Sequence, residues 1–241
     1  KDFQWYATSQ ALADELCAMT FDPYMNKSVK VLEPSAGQGA ILRSIDNWFK
    51  TNAVNIELQD DNFYAVEFMK ENFSILEKNW DINLISGDFL EYDELINYYD
   101  YIVANPPFSN GQDLEHVQHM YKLLKPGGTL TSVMSVSWLF NTQNKFKSFR
   151  KWLGVDDSKM NDLKLASRGG SSYEGSRLTE HGNMENIKIK TLESGTFKES
   201  GTDVITCIVQ ITKNDVSGFS LPPVKIAEQQ LFESTGQFSI F

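Results

Sequence analysis

Residues 101–108 read Tyr-Ile-Val-Ala-Asn-Pro-Pro-Phe, an apolar run that ends in two consecutive prolines. Each proline fixes its φ and removes an N–H donor, and the first also restricts Asn105. The pattern predicts a buried strand leaving a sheet in a stiff turn. That turn presents the Asn105 side-chain amide and the Pro106 carbonyl, with Pro107 and the aromatic face of Phe108 close behind. Two acceptors beside a flat apolar surface suit a planar group bearing an NH2, such as the exocyclic amine of a nucleobase. A plain strand-ending turn with a buried Phe108 fits the same four residues, so a second site has to decide.

The second site lies upstream. Val29–Leu32 reads as a short apolar strand, followed by Glu33-Pro34-Ser35-Ala36-Gly37-Gln38-Gly39 and an apolar helix start at Ala40, Ile41, Leu42 and Ile45. Strand, glycine-rich turn and helix form a nucleotide-type cofactor loop, in which glycines allow close backbone approach and the helix N-terminus offers N–H groups. The turn lacks the Gly-Lys-Ser/Thr ending of a phosphate cradle. It also lacks the third glycine of the dinucleotide fingerprint. An acidic residue before the loop suits a ligand with a cationic amine.

Coarse secondary structure places these pieces. Thr8–Met19 has helical spacing, with Thr8 or Ser9 as N-cap. Strands are expected at 29–32, 63–66, 82–85, 101–104 and 130–136. Helices are expected over about 40–50 and 114–124, the second stopped by Lys125-Pro126-Gly127-Gly128. Strands alternating with helices imply a parallel sheet covered on both faces. Ligands on such sheets bind at the carboxyl ends of the strands, where both motifs fall.

Leu32-Glu-Pro-Ser-Ala-Gly-Gln-Gly-Ala-Ile41 resembles motif I of S-adenosylmethionine-dependent methyltransferases, and Asn105-Pro-Pro-Phe108 resembles the catalytic motif of amino-methyltransferases. Together they look like a class I DNA adenine-N6 methyltransferase, over residues 3–140 and the strand near 204–211. The resemblance implies an α/β, Rossmann-like fold with a mostly parallel seven-stranded sheet and helices on both faces. It implies S-adenosylmethionine as cofactor, held by Glu33, Pro34, Ala36, Gly37, Gly39 and Asn105, with Glu67 on the ribose hydroxyls and Asp88 and Phe89 on the adenine. Glu67 and Asp88 also read as simple strand-end or N-cap acids. Tyr6-Ala7-Thr8-Ser9 resembles motif X, whose threonine contacts the methionine carboxylate, although Ser9 stands where the family has proline. Phe3 and Tyr6 belong to the same stretch. The implied reaction is direct methyl transfer to an extruded adenine, with Asn105, Pro106, Pro107 and Phe108 as catalytic residues. Related readings are an RNA methyltransferase, a protein glutamine-N5 methyltransferase, which uses an Asn-Pro-Pro turn beside a separate N-terminal helical domain, and a cofactor-binding subunit that relies on a partner for DNA. Cytosine-N4 chemistry would share the site.

The motif order leaves no room for a recognition domain between the two sites, so DNA reading is expected downstream, as in the gamma arrangement of these enzymes. The single methyltransferase domain, 1–241, would carry an inserted recognition or mobile segment at 141–186 and a tail at 214–241. The net charge is −10, yet 11 of the 22 Lys and Arg residues fall in 141–200. Lys145, Lys147, Arg150 and Lys151, interleaved with Phe146, Phe149 and Trp152, would hold DNA phosphates. A solvated amphipathic helix fits them as well. Arg168 and Arg177 are further DNA-binding candidates among turn formers. The closing Gln237-Phe238-Ser239-Ile240-Phe241 resembles the pentapeptide by which bacterial replication proteins dock on the sliding clamp. The two cysteines read as small apolar residues, and neither metal spacing nor a secretory or membrane-spanning run is visible. The expected setting is the cytoplasm, with a bacterial, plasmid or phage gene.

Overall fold

Ser9 starts the first helix: its Oγ accepts from the Leu12 N–H at 3.3 Å. The resulting α1 (Gln10–Thr20) buries Leu12, Ala13, Leu16 and Cys17 along one face. A computed structural model describes residues 7–25, 28–52, 61–93, 95–155, 172–179, 184–192, 196–197 and 204–214. After α1 come β1 (Val31–Glu33), α2 (Ala40–Asn52), β2 (Phe63–Glu67), α3 (Lys70–Asn79), β3 (Asn83–Ser86) and β4 (Tyr99–Ala104). The chain continues through α4 (Gln112–Leu123), β5 (Leu124–Ser135), α5 (Ser137–Phe140), α6 (Asn144–Leu153), β6 (Ser172–Leu178), β7 (Met184–Thr191) and β8 (Thr206–Thr212).

All eight strands form one sheet in the order β3-β2-β1-β4-β5-β8-β7-β6. The first five are mutually parallel, and β8, β7 and β6 add an antiparallel edge. Seven strands were expected; the difference lies in this edge. Along β7, Ile187 and Ile189 are buried while Asn186 and Lys188 face out, the alternation of a half-buried antiparallel strand. Residues 144–153 of the segment read as an insert form α6, which buries Phe146, Phe149 and Leu153. Residues 172–178 of it pair with β7.

Two apolar layers sandwich the sheet. One joins Leu16, Ile41, Ile45 and Leu76 of α1, α2 and α3 to Val31, Ala65 and Val103. The other joins Val117, Met120, Trp138 and Phe149 of α4, α5 and α6 to Leu32, Ile102 and Leu130. Successive strand residues point to opposite faces, so Val31 and Leu32 enter different layers. Chain order reverses between β1 and β4, which pair through Val31–Tyr101 and Leu32–Ile102. Such a reversal splays the loops leaving the two strands and opens a crevice at their carboxyl ends.

Cys17 and Cys207 are free and buried, and burial pushes both thiols up. Among the described residues no helix is long and apolar enough to cross a membrane, and no group of three His, Cys, Asp or Glu side chains is placed to hold a metal. Phe3, Tyr6, Arg168 and the pentapeptide Gln237–Phe241 lie outside the described residues. Arg177 falls on β6.

Candidate active site

The turn after β1 is shaped by two glycines with positive φ, Gly37 at 53° and Gly39 at 80°. A Cβ on Gly39 would come within 3.0 Å of Leu76 and 3.1 Å of the Trp80 indole, so this glycine lets α3 pack against the turn. Gly37 turns its N–H onto Glu67 Oε2 at 2.7 Å, while Glu67 Oε1 accepts from the Met69 N–H at 2.6 Å. A backbone bond from Ala36 N–H to the Val66 carbonyl, at 3.1 Å, reinforces the link between β1 and β2.

These ends line one cavity at the switch point. Glu33, Pro34, Ala36 and Gly37 enter it from β1, Glu67, Phe68 and Met69 from β2, and Gly87, Asp88 and Phe89 from β3. Asn105, Pro106 and Pro107 enter from β4, Ala7 and Thr8 from ahead of α1, and Gln112 and His116 from α4. The two motifs read from sequence therefore face the same space. Asn105 Nδ2 donates to Thr8 Oγ1 at 2.9 Å, joining the first described residues to the Asn-Pro-Pro turn.

Electrostatics sharpen the picture. Glu33 is fully buried, and its Oε2 has no hydrogen-bond partner among the described residues. Burial holds its carboxyl well above the usual range, and nearby Glu67 raises it further. Burial raises Glu67 as well, against the opposing pull of the Met69 and Gly37 N–H groups. Bringing a cation into this cavity would relieve both acids, because opposite charge favours the ionised carboxylate. An orphaned carboxylate oxygen fits the ammonium of a methionine-derived cofactor, so the residues present suit S-adenosylmethionine. Asp88 caps the short turn at 89–91 by accepting from the Leu90 N–H at 3.0 Å, and it also lines the cavity. The N-cap reading of Asp88 is met by this bond, and the same residue stands on the cavity wall.

Several placements differ from expectation or were not foreseen. Phe108 is not among the cavity-lining residues: it is only 8% exposed and packs edge-on to Phe197 at 5.9 Å between ring centres. Arg150, expected on DNA, donates to the Trp138 and Asn141 carbonyls and so pins α5 to α6. Lys145 donates to the Asn110 carbonyl beside the Asn-Pro-Pro turn, and Lys147 and Lys151 are exposed on α6. His116 and Gln112 were missed. His116 Nδ1 lies 2.9 Å from the Gln112 carbonyl, its ring is tilted 33° to Phe89, and burial lowers its pKa. The available signal was position: the opening turns of the helix after a strand-end motif lie next to the carboxyl ends. Phe68, 47% exposed at the rim, directly follows the strand-end acid Glu67.

A model of the methyltransferase small domain family matches residues 8–150, more than half of the chain. The chain belongs to that family. This methyltransferase domain is 28% identical over 148 residues to the type II restriction enzyme and methyltransferase RM.BcgI of Heyndrickxia coagulans, covering 53% of this chain and 23% of that protein. It is 31% identical over 101 residues to the release factor glutamine methyltransferase of Aliivibrio fischeri, covering 42% of this chain and 34% of that protein. The methyltransferase domain thus spans only a minor part of the curated relatives it matches. Its fold is that of the methyltransferase subunit of a type I restriction-modification system from Streptococcus thermophilus, with TM-score 0.58, 15% identity and coverage of 90% of this chain and 46% of that one. A Listeria monocytogenes protein assigned to the class I S-adenosylmethionine-dependent methyltransferases matches at TM-score 0.56 and 15% identity, over 89% of this chain and 61% of that one. The expected Rossmann-like fold, the methyltransferase family and S-adenosylmethionine as cofactor all stand.

Proposed function

We propose that the domain transfers a methyl group from S-adenosylmethionine to the N6 amine of an adenine extruded from duplex DNA. The observation that carries this reading is the meeting of Asn105 and Pro106 with Glu33, Gly37 and Glu67 around one cavity. The restriction-modification relative, the exposed lysines of α6 and the contact of one of them, Lys145, with the Asn110 carbonyl just after the turn favour DNA as substrate.

When bound, the cofactor supplies an electrophilic methyl group. Glu33 would take its cationic amine, Glu67 its ribose hydroxyls, and Asp88 with Phe89 its adenine, while Pro34, Ala36, Gly37 and Gly39 shape the turn around it. The target base must leave the helix, since its N6 is not reachable while stacked and paired. Asn105 Oδ1 and the Pro106 carbonyl accept from the amine and hold its lone pair out of conjugation with the ring. The paired prolines keep these acceptors fixed, so alignment contributes most of the rate and no covalent enzyme intermediate is needed. Phe108 stacks on the base once its ring leaves Phe197. Lys147 and Lys151, with Arg168 and Arg177 downstream, meet phosphates. Gln237, Phe238, Ile240 and Phe241 would add a tether to the sliding clamp, a role supported by the sequence pattern alone. The proposed setting is the cytoplasm, with a bacterial, plasmid or phage gene.

A second reading has one observation in its favour. Of the two curated relatives described above, the release-factor protein is the more identical, over a shorter overlap, and is named for glutamine. A glutamine side-chain amide is also a planar NH2 group that two fixed acceptors can grip. Incubation with methyl-labelled S-adenosylmethionine and duplex DNA, RNA or glutamine peptides separates the two. Labelled N6-methyladenine from DNA supports the proposal, and label in a peptide glutamine or in RNA overturns it.

A further inference from the structure

We propose that Thr8 is a positioning residue that makes Asn105 ready for the amine only once the cofactor is in place. The role rests on Asn105 being the amine acceptor. An asparagine amide has two ends of nearly equal shape and opposite hydrogen-bonding sense. Turned one way it offers the substrate amine an acceptor; turned the other way it offers a second donor and repels it. Something in the site has to choose.

Thr8 is placed to do so. Ser9, the next residue, caps α1, so the helix makes no demand on the Thr8 hydroxyl. That hydroxyl sits 2.9 Å from Asn105 Nδ2, is half-buried, and lines the cavity. With Nδ2 directed at Thr8, Oδ1 turns to the opposite side of the amide. A threonine hydroxyl can also donate, so alone it would tolerate either orientation. An acceptor brought into the cavity, such as the carboxylate of an amino-acid-bearing cofactor, takes the hydroxyl hydrogen. Oγ1 then has only lone pairs to offer Asn105, and only the Nδ2-facing orientation remains. Binding of the cofactor's carboxylate and of the substrate's amine is coupled through one hydroxyl, and such coupling is reciprocal.

The test compares the wild-type protein with Thr8→Ser, which keeps the hydroxyl, and Thr8→Val, which keeps the shape. Turnover at saturating S-adenosylmethionine is expected to fall roughly 100-fold in Thr8→Val, the scale of a misaligned reacting group, and to stay within about threefold in Thr8→Ser. Substrate DNA should bind more tightly to the wild type with sinefungin, which carries the amino-acid carboxylate, than with methylthioadenosine, which lacks it. Thr8→Val should lose that difference. Retained methylthioadenosine binding shows that the variant is folded. A Thr8→Val protein that loses only cofactor affinity, with turnover intact, overturns the proposal, as does equal loss in both variants. An active wild type with a normal Thr8→Val refutes this inference alone; a wild type that methylates none of the offered substrates refutes the proposed function and this inference with it.

Discussion

Glu67, at the end of β2, accepts the Gly37 N–H at 2.7 Å and so fastens the second strand to the turn that follows the first. Its other oxygen takes the Met69 N–H, and burial raises its carboxyl above the usual range. The side chain thus shapes the cavity through its own backbone bonds. Glu67→Ala leaves buried N–H groups without their acceptor, at a cost of about 1–3 kcal/mol. We expect that loss in chemical denaturation, together with at least a tenfold weaker sinefungin affinity by calorimetry. Unchanged values in both would remove Glu67 from the site.

Asn105 and Phe108 separate function from packing. Asn105→Ala should keep the fold and cofactor affinity and lose methyl transfer. Phe108→Ala differs, because the ring is buried against Phe197. Truncating a buried Phe costs about 3–5 kcal/mol. Thermal unfolding should therefore show Phe108→Ala strongly destabilised and Asn105→Ala close to wild type.

Asp113, at the start of α4, gives a pH signature. Its Oδ2 accepts the Ser135 N–H at 2.9 Å, while Oδ1 is buried without a partner among the described residues. Burial raises its pKa from 3.8 to about 7. The folded state therefore binds this proton more tightly than the unfolded state, so the stability contributed by Asp113 is present at low pH and is lost as pH rises toward about 7. Relative to Asp113→Asn, the wild type should lose on the order of 3 kcal/mol between pH 5 and pH 8. Denaturation curves at the two pH values check this, and a flat difference would contradict the burial of the charge.

The cations of α6 divide into two kinds. Arg150→Ala should lower the melting temperature, because the guanidinium holds the Trp138 and Asn141 carbonyls. Lys147→Ala with Lys151→Ala should leave the melting temperature unchanged and weaken DNA binding. The log–log salt dependence of binding should flatten by about 0.9 for each phosphate no longer neutralised. Salt titrations of DNA binding distinguish the two classes.

What sequence made legible was local. The double proline, the glycine turn and the strand-end acids Glu67 and Asp88 each declare themselves through φ restriction or position, and all reach the same cavity. α3 was not read, since its buried face carries only Leu76 and the polar Asn72, too thin a stripe for a helical period. β6 and β7 are polar on one face and take their place from pairing with β8, which no local signal announces. The reversal that sets β1 beside β4 is likewise a property of the assembled sheet. Rotamer choices lay further out of reach: Phe108 turned toward Phe197, Arg150 toward carbonyls, and Thr8 toward Asn105 depend on neighbours distant in the chain.

A crystal structure with sinefungin, whose amine stands where the transferable methyl would be, tests the central claim most directly. The ligand should lie in the cavity with its amino-acid ammonium on Glu33 and that second amine facing the Asn105 amide and Pro106 carbonyl. Sinefungin bound away from Asn105, or bound there with that amine directed away from both acceptors, would contradict the account.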